Sequence, residues 1–120
     1  MFGKRNNNTD TPQDIKVQFL SKEASEAQCN LIEQTERVIV CNGVIDLYPE
    51  SNEKIKAKED LESEKEKLLS LAKAYDDAIA LYRNALFELA ERNTTRHYSC
   101  GRRTSQQIIE STYKNFFKRR

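Results

Sequence analysis

The stretch that most constrains this chain is Leu68–Ala90, LLSLAKAYDDAIALYRNALFELA. Its residues favour helix, and its clearly polar positions are Ser70, Lys73, Asp76, Asp77, Arg83, Asn84 and Glu88. Ser70, Lys73, Asp77, Asn84 and Glu88 fall three, four or seven apart, so they share one narrow stripe. Leu, Ala, Ile, Tyr and Phe fill most of the rest. A surface helix usually carries an apolar stripe on a polar rod, and this segment is the reverse. The pattern predicts burial against two or more neighbours.

Heptads extend the reading upstream. Thr11-Pro12-Gln13-Asp14 opens a helix: Thr11 suits the cap, Pro12 the first turn, and Asp14 the acidic third position. Val17, Ala24, Leu31, Val38 and Ile45 then recur seven apart, with Leu20, Ala27, Gln34, Cys41 and Tyr48 as a second seam position. That is a coiled-coil-like seam with one polar member, Gln34. Residues 37–48 are ambiguous. Asn42-Gly43 between β-branched runs signals a hairpin, whereas Gly43 equally suits the left-handed residue that ends a helix. The leading expectation is a helix ending near Cys41; the alternatives are a β-hairpin and a helix running on to Pro49.

Pro49-Glu-Ser-Asn reads as a turn, with Ser51 or Asn52 as the next cap. One helix is expected from about Asn52 to Arg92, roughly 60 Å long at about 1.5 Å per residue. Its first half, EKIKAKEDLESEKEK, is mostly charge, with Glu53–Lys56 and Glu64–Lys67 as favourable pairs. Along the helix Leu61, Leu68, Tyr75, Tyr82 and Leu89 hold one seam position and Ala72, Ile79 and Leu86 its partner, so the second half is expected to be the core. A loop over 93–103 follows. Thr104-Ser-Gln-Gln107 matches a capping box and starts a last amphipathic helix.

The expected organisation is therefore all-α. A polar, flexible arm (1–10) precedes an antiparallel hairpin of two long helices within 11–92, at about 12–41 and 52–92. A basic loop and short C-terminal helix occupy 93–120. With 120 residues, three Gly, two Pro and no Trp, the composition suits an elongated helical protein. No run reaches the ~18 apolar residues of a membrane span, and no apolar secretion signal is evident at the N-terminus. A cytoplasmic protein is expected.

The net charge of +1 conceals a segregation. Residues 12–91 carry ten Lys/Arg against seventeen Asp/Glu, and residues 92–120 carry eight against one. Three readings suit the basic segment. Arg96, Arg102, Arg103, Lys114, Lys118, Arg119 and Arg120 could grip phosphates, with Tyr98, Tyr113, Phe116 and Phe117 as aromatic contacts. The segment could lie on an anionic membrane, the least expected of the three. The favoured reading docks its apolar face on Leu68–Ala90 and sets its charges against the acidic middle.

Nothing in the chain points to catalysis. His97 is the single histidine, and with Cys100 it sits in an Arg-rich loop without a third group to orient it. The carboxylates of Glu53–Glu66 lie on a solvated rod, where no environment separates their pKa values. No Glu-x-x-His pattern or Gly-rich phosphate loop is present. Cys29, Cys41, His97 and Cys100 sum to a zinc-type set. Yet twelve residues of helix separate Cys29 from Cys41 by roughly 18 Å. No metal or cofactor is expected.

Tyr75-Asp-Asp-Ala-Ile-Ala-Leu-Tyr-Arg-Asn-Ala-Leu86 resembles the second helix of a tetratricopeptide repeat, where Ala, Ile, Tyr and Ala recur at similar spacing. The likeness covers about a tenth of the chain. The first helix of that repeat, with its Gly, is unmatched and no second copy follows, so no function is carried over. The expected role is that of a non-enzymatic assembly or adaptor protein. It would pair with itself as a homodimer, or with another helical protein, through Leu68, Leu69, Tyr75, Ile79, Tyr82, Leu86 and Phe87. Nucleic-acid binding through the basic C-terminus is the alternative.

Overall fold

The computed structural model describes residues 12–92 and 101–118. Three helices account for 90% of them: α1 (Pro12–Ile45), α2 (Asn52–Arg92) and α3 (Ser105–Lys118). Helices α1 and α2 form the expected antiparallel hairpin, and no strand occurs among the described residues. The molecule measures 67 × 28 × 22 Å, so the length of α2 sets its long dimension. The N-terminal arm, the Thr11 cap and residues 93–100 lie outside the described residues.

The heptad seams meet in the hairpin. Ala24, Leu31, Val38 and Ile45 are buried on α1, and Leu61, Tyr75, Ile79, Leu86 and Leu89 on α2. Near the turn, Val38, Ile45 and Leu61 form one cluster. In the middle, Ala24, Leu31, Tyr75 and Ile79 form a second, and Ile108 of α3 completes it. Small residues at 24, 27 and 72 let the backbones approach. The charged first half of α2 is solvated on its outer side only. Ala57, Leu61 and Glu64 turn toward α1, so it is not the wholly solvated rod that its composition suggests. Lys54–Glu50, Lys65–Glu62 and Lys67–Glu64 pair along it at 3.0, 3.5 and 3.5 Å.

The end of α1 corrects the leading expectation. The helix does not stop near Cys41, and the Asn42-Gly43 hairpin does not form; helix continues through Gly43 to Ile45. Interior Gly costs about 1 kcal/mol relative to Ala. Burying Ile45 one heptad beyond Val38 returns about 1.5–3 kcal/mol, which decides the outcome. Tyr48, expected in the seam, falls beyond the helix and stays partly exposed. The last turn tightens instead, with the Leu47 and Tyr48 amides donating to the carbonyls of Val44 and Ile45. Pro49 then blocks continuation. The Ser51 carbonyl accepts the first helical bond of α2 from Ile55, while its hydroxyl donates to the Pro49 carbonyl.

Helix α3 starts on its capping box. The Thr104 amide donates to Gln107 Oε1 at 2.9 Å, and the Gln107 amide donates to Thr104 Oγ1 at 3.1 Å. Ahead of it Gly101 takes φ +64°, a conformation that a side chain would strain. The expected docking surface is only part of the one found: Ile108 packs with Tyr75 and Ile79 of α2, but α3 lies more extensively along α1. The amphipathic face is short, and Ile108 and Thr112 are its only buried positions. The groove beside α1, lined by residues such as Ile32 and Ile39, takes that face. The tetratricopeptide-like segment sits inside the unbroken α2, without a helix–turn–helix unit around it.

Candidate interaction surface

The start of α3 is tied down by polar contacts that consume its first charges. Tyr75 is fully buried, and its hydroxyl donates to the Arg103 carbonyl at 2.6 Å. Asp76, one position on, accepts from the Ser105 amide and hydroxyl at 3.2 and 2.8 Å. A carboxylate from α2 therefore sits at the positive end of α3, where the helix dipole favours it. Arg102 donates from Nη2 to the Ser21 carbonyl, Ser21 Oγ and Ser25 Oγ, all at 3.0–3.1 Å. Its guanidinium also lies 5.5 Å from the Tyr82 ring centroid, in cation–π geometry. Arg103 donates to Ser111 Oγ.

Those contacts alter the reading of the basic segment. Arg102 and Arg103 meet hydroxyls, a carbonyl and a ring, rather than the acidic middle of α2. Of the candidate anion contacts, Lys114 and Lys118 are exposed on α3. Arg96, Arg119 and Arg120 lie outside the described residues, as do His97, Tyr98 and Cys100. Cys29 is exposed and Cys41 half-buried, both on α1. Among the described residues no group of three or more His, Cys, Asp or Glu is placed to hold a metal.

The seven residues expected at an interface divide sharply. Tyr75, Ile79 and Leu86 are buried inside the chain's own bundle, and Leu68 and Tyr82 are half-buried there. Leu69 and Phe87 point outward, 71% and 70% exposed. They stand eighteen residues apart, about 27 Å along the helix, so they do not form one patch.

The larger apolar surface lies elsewhere. On α1, Ile15, Phe19, Val40 and Val44 are exposed, and Leu47 follows in the turn. Val40, Val44 and Leu47, with Ile39 and Gly43, line a groove of about 430 Å³ together with Tyr113, Phe116 and Phe117 of α3. Phe116 and Phe117 meet edge to face with centroids 5.6 Å apart. The sequence carried a signal for this surface. Ile15/Phe19 and Val40/Val44 each repeat after four residues, off the Val17–Ile45 seam. Attention to the seam hid that second stripe.

Comparison with protein-family models, with curated proteins and with solved structures finds no match to this chain. No helix among the described residues is long and apolar enough to cross a membrane.

Proposed function

We propose that this chain is a non-enzymatic assembly or adaptor protein that works in the cytoplasm by coiled-coil-like self-association and protein–protein contacts. One observation carries the reading. The buried seams are closed within the hairpin, yet Val40, Val44, Leu47 and Phe117 still leave a contiguous apolar surface beside the turn. Surfaces of this kind mark interaction sites. The two free thiols on α1 are compatible with a reducing compartment.

Sedimentation velocity over a micromolar concentration series tests it. A concentration-dependent dimer supports self-association; a monomer throughout counts against it and leaves a heterologous helical partner as the adaptor reading. The alternative, a small nucleic-acid-binding protein, requires a basic grip to which Arg102 and Arg103 contribute only after giving up their present partners. A gel shift across a salt series separates the two, because phosphate binding weakens steeply with salt.

A further inference from the structure

The residues that lead into α3 carry a phosphoacceptor pattern. Arg102-Arg103-Thr104-Ser105 places two arginines three and two residues before a serine. Kinases whose substrate clefts present carboxylates select that arrangement, because each guanidinium pairs with a carboxylate in a fork. No other Ser or Thr of the chain has arginine at both places; Thr95 and Ser99, each with one arginine three residues before it, come nearest. Residues 101–104 have no regular structure, and Ser105 is the first residue of α3. Arg103, Thr104 and Gln106 are exposed and Ser105 is half-buried. A kinase cleft therefore reaches the acceptor by opening the first turn of α3 rather than the whole helix.

Ser105 is also half of a tie between helices. Its Oγ donates to Asp76 Oδ2 at 2.8 Å, and its amide donates to Asp76 Oδ1 at 3.2 Å. Two further ties hold this end of α3: Arg102 on Ser21 and Ser25, and the Tyr75 hydroxyl on the Arg103 carbonyl. Beyond them, Ile108 and Thr112 are the buried side chains of the helix. The polar ties thus carry a large share of the docking.

We propose that Ser105 is a phosphorylation site for an arginine-directed serine kinase, and that the phosphate loosens α3 from the hairpin. Ser105 Oγ attacks the γ-phosphorus of ATP, the bond to the β,γ-bridging oxygen breaks and ADP leaves. The hydroxyl proton passes to the catalytic carboxylate of the kinase. The product carries a charge of about −1.5 to −2 at pH 7. It has lost the hydrogen that Asp76 accepted and sits beside that carboxylate, so the tie becomes a repulsion. Arg102, three residues away, exchanges neutral hydroxyls for charge-assisted bonds to the phosphate, which are roughly twice as strong. One modification undoes two of the three ties. The free amides and dipole at the start of α3 favour the phosphate, so the helix itself persists while its docking weakens.

The test treats the full chain with Mg-ATP and the catalytic subunit of a cyclic-AMP-dependent kinase as the arginine-directed enzyme. Peptide mass spectrometry should place one phosphoryl group on Ser105, and Ser105→Ala should abolish it. Hydrogen exchange on the phosphorylated chain should show α3 amides exchanging roughly tenfold or more faster than in the unmodified chain. Amides around Val38 and Leu61 should stay as slow as before, which separates loosening of α3 from unfolding of the hairpin. In Asp76→Asn, which lacks the repelling charge, phosphorylation should accelerate α3 less. Phosphate on Thr95 or Ser99 with Ser105 left unmodified, or no phosphate at all, would overturn the site. Phosphate on Ser105 with α3 exchange unchanged or slowed would overturn the loosening, and equal acceleration in Asp76→Asn would overturn the role given to Asp76.

Discussion

Gln34 on α1 donates both side-chain hydrogens to one residue across the hairpin, Glu64. Nε2 lies 2.9 Å from the Glu64 carbonyl and 2.8 Å from its Oε1. Three heptads earlier in α1, Gln13 repeats the device, donating to the Ala85 carbonyl and to Glu88 Oε1 at 3.2 and 3.1 Å. Ala85 lies three heptads beyond Glu64, so both glutamines read the same antiparallel register. A slip of either helix would strand a buried amide, which costs about 1–3 kcal/mol. The polar exception in the seam is therefore a register pin.

That pin has a pH consequence. The hydrogen bond from Gln34 is the largest influence on Glu64 and, with Lys67 nearby, holds its carboxyl below the ordinary 4.5. The unfolded chain takes up the proton first. The stabilisation is fully present above about pH 4.5 and is lost as the pH falls through the lowered folded value. Gln34→Leu should remove this contribution. Urea melts of the two proteins at pH 7 and at steps below pH 4.5 should show a shallower acid limb in the variant. Parallel limbs would show that Glu64 is not held this way.

Docking of α3 should depend on Ile108 more than on its aromatic pair. Ile108 is 1% exposed within the central cluster, whereas Phe117 is 56% exposed and Phe116 half-buried. Ile108→Ala should cost about 2–5 kcal/mol, read from denaturant midpoints. Phe117→Ala should cost less than about 0.5 kcal/mol in a sample dilute enough to be monomeric. Equal losses at the two positions would mean that the end of α3 is packed more deeply than this structure places it.

Gly43 offers a gain. It sits within α1 with ordinary helical backbone, and a Cβ added there meets nothing within 4 Å. Gly43→Ala should stabilise the protein by about 0.5–1 kcal/mol, since Ala gives up less backbone entropy in a helix. Gly101→Ala should do the opposite, because φ +64° strains any residue with a side chain. Thermal melts of the two variants should move in opposite directions.

The hairpin was legible because its signals are periodic and long. Val17 to Ile45 and Leu61 to Leu89 each hold a heptad over several turns, and Pro49 and Thr104 mark a boundary and a cap. The end of α1 was not legible, because Asn42-Gly43 is a strong local turn signal and the burial of Ile45 that overrides it is a tertiary effect. The surface was legible only in part. Leu69 and Phe87 are exposed as the excess of apolar residues on α2 implied. The groove needs α3 laid beside α1, and nothing in the sequence says that Ile108 prefers Leu31 and Ala24 to the rest of α2. Nor does sequence show that Arg102 would find Ser21 and Tyr82.

Arg102 should therefore behave as a structural clamp rather than a surplus charge. The sequence alone suggests that removing any basic residue of the C-terminal segment costs little, as exposed pairs contribute about 0–1 kcal/mol. In the fold, Arg102 joins three helical neighbourhoods: Ser21 and Ser25 on α1, Tyr82 on α2, and the strand of chain entering α3. Charged hydrogen bonds contribute about 1.5–3 kcal/mol when sheltered, and this one is half-exposed, so Arg102→Ala should cost about 1–2 kcal/mol. Lys114→Ala, on the exposed side of α3, should leave the melt within about 0.5 kcal/mol of the parent. Arg102→Lys separates charge from shape: an ammonium keeps the charge but loses the planar fork and the stacking on Tyr82. It should recover less than half of the loss. Full recovery by Lys, or no loss in the alanine variant, would return Arg102 to the pool of solvent-facing charges available for phosphate.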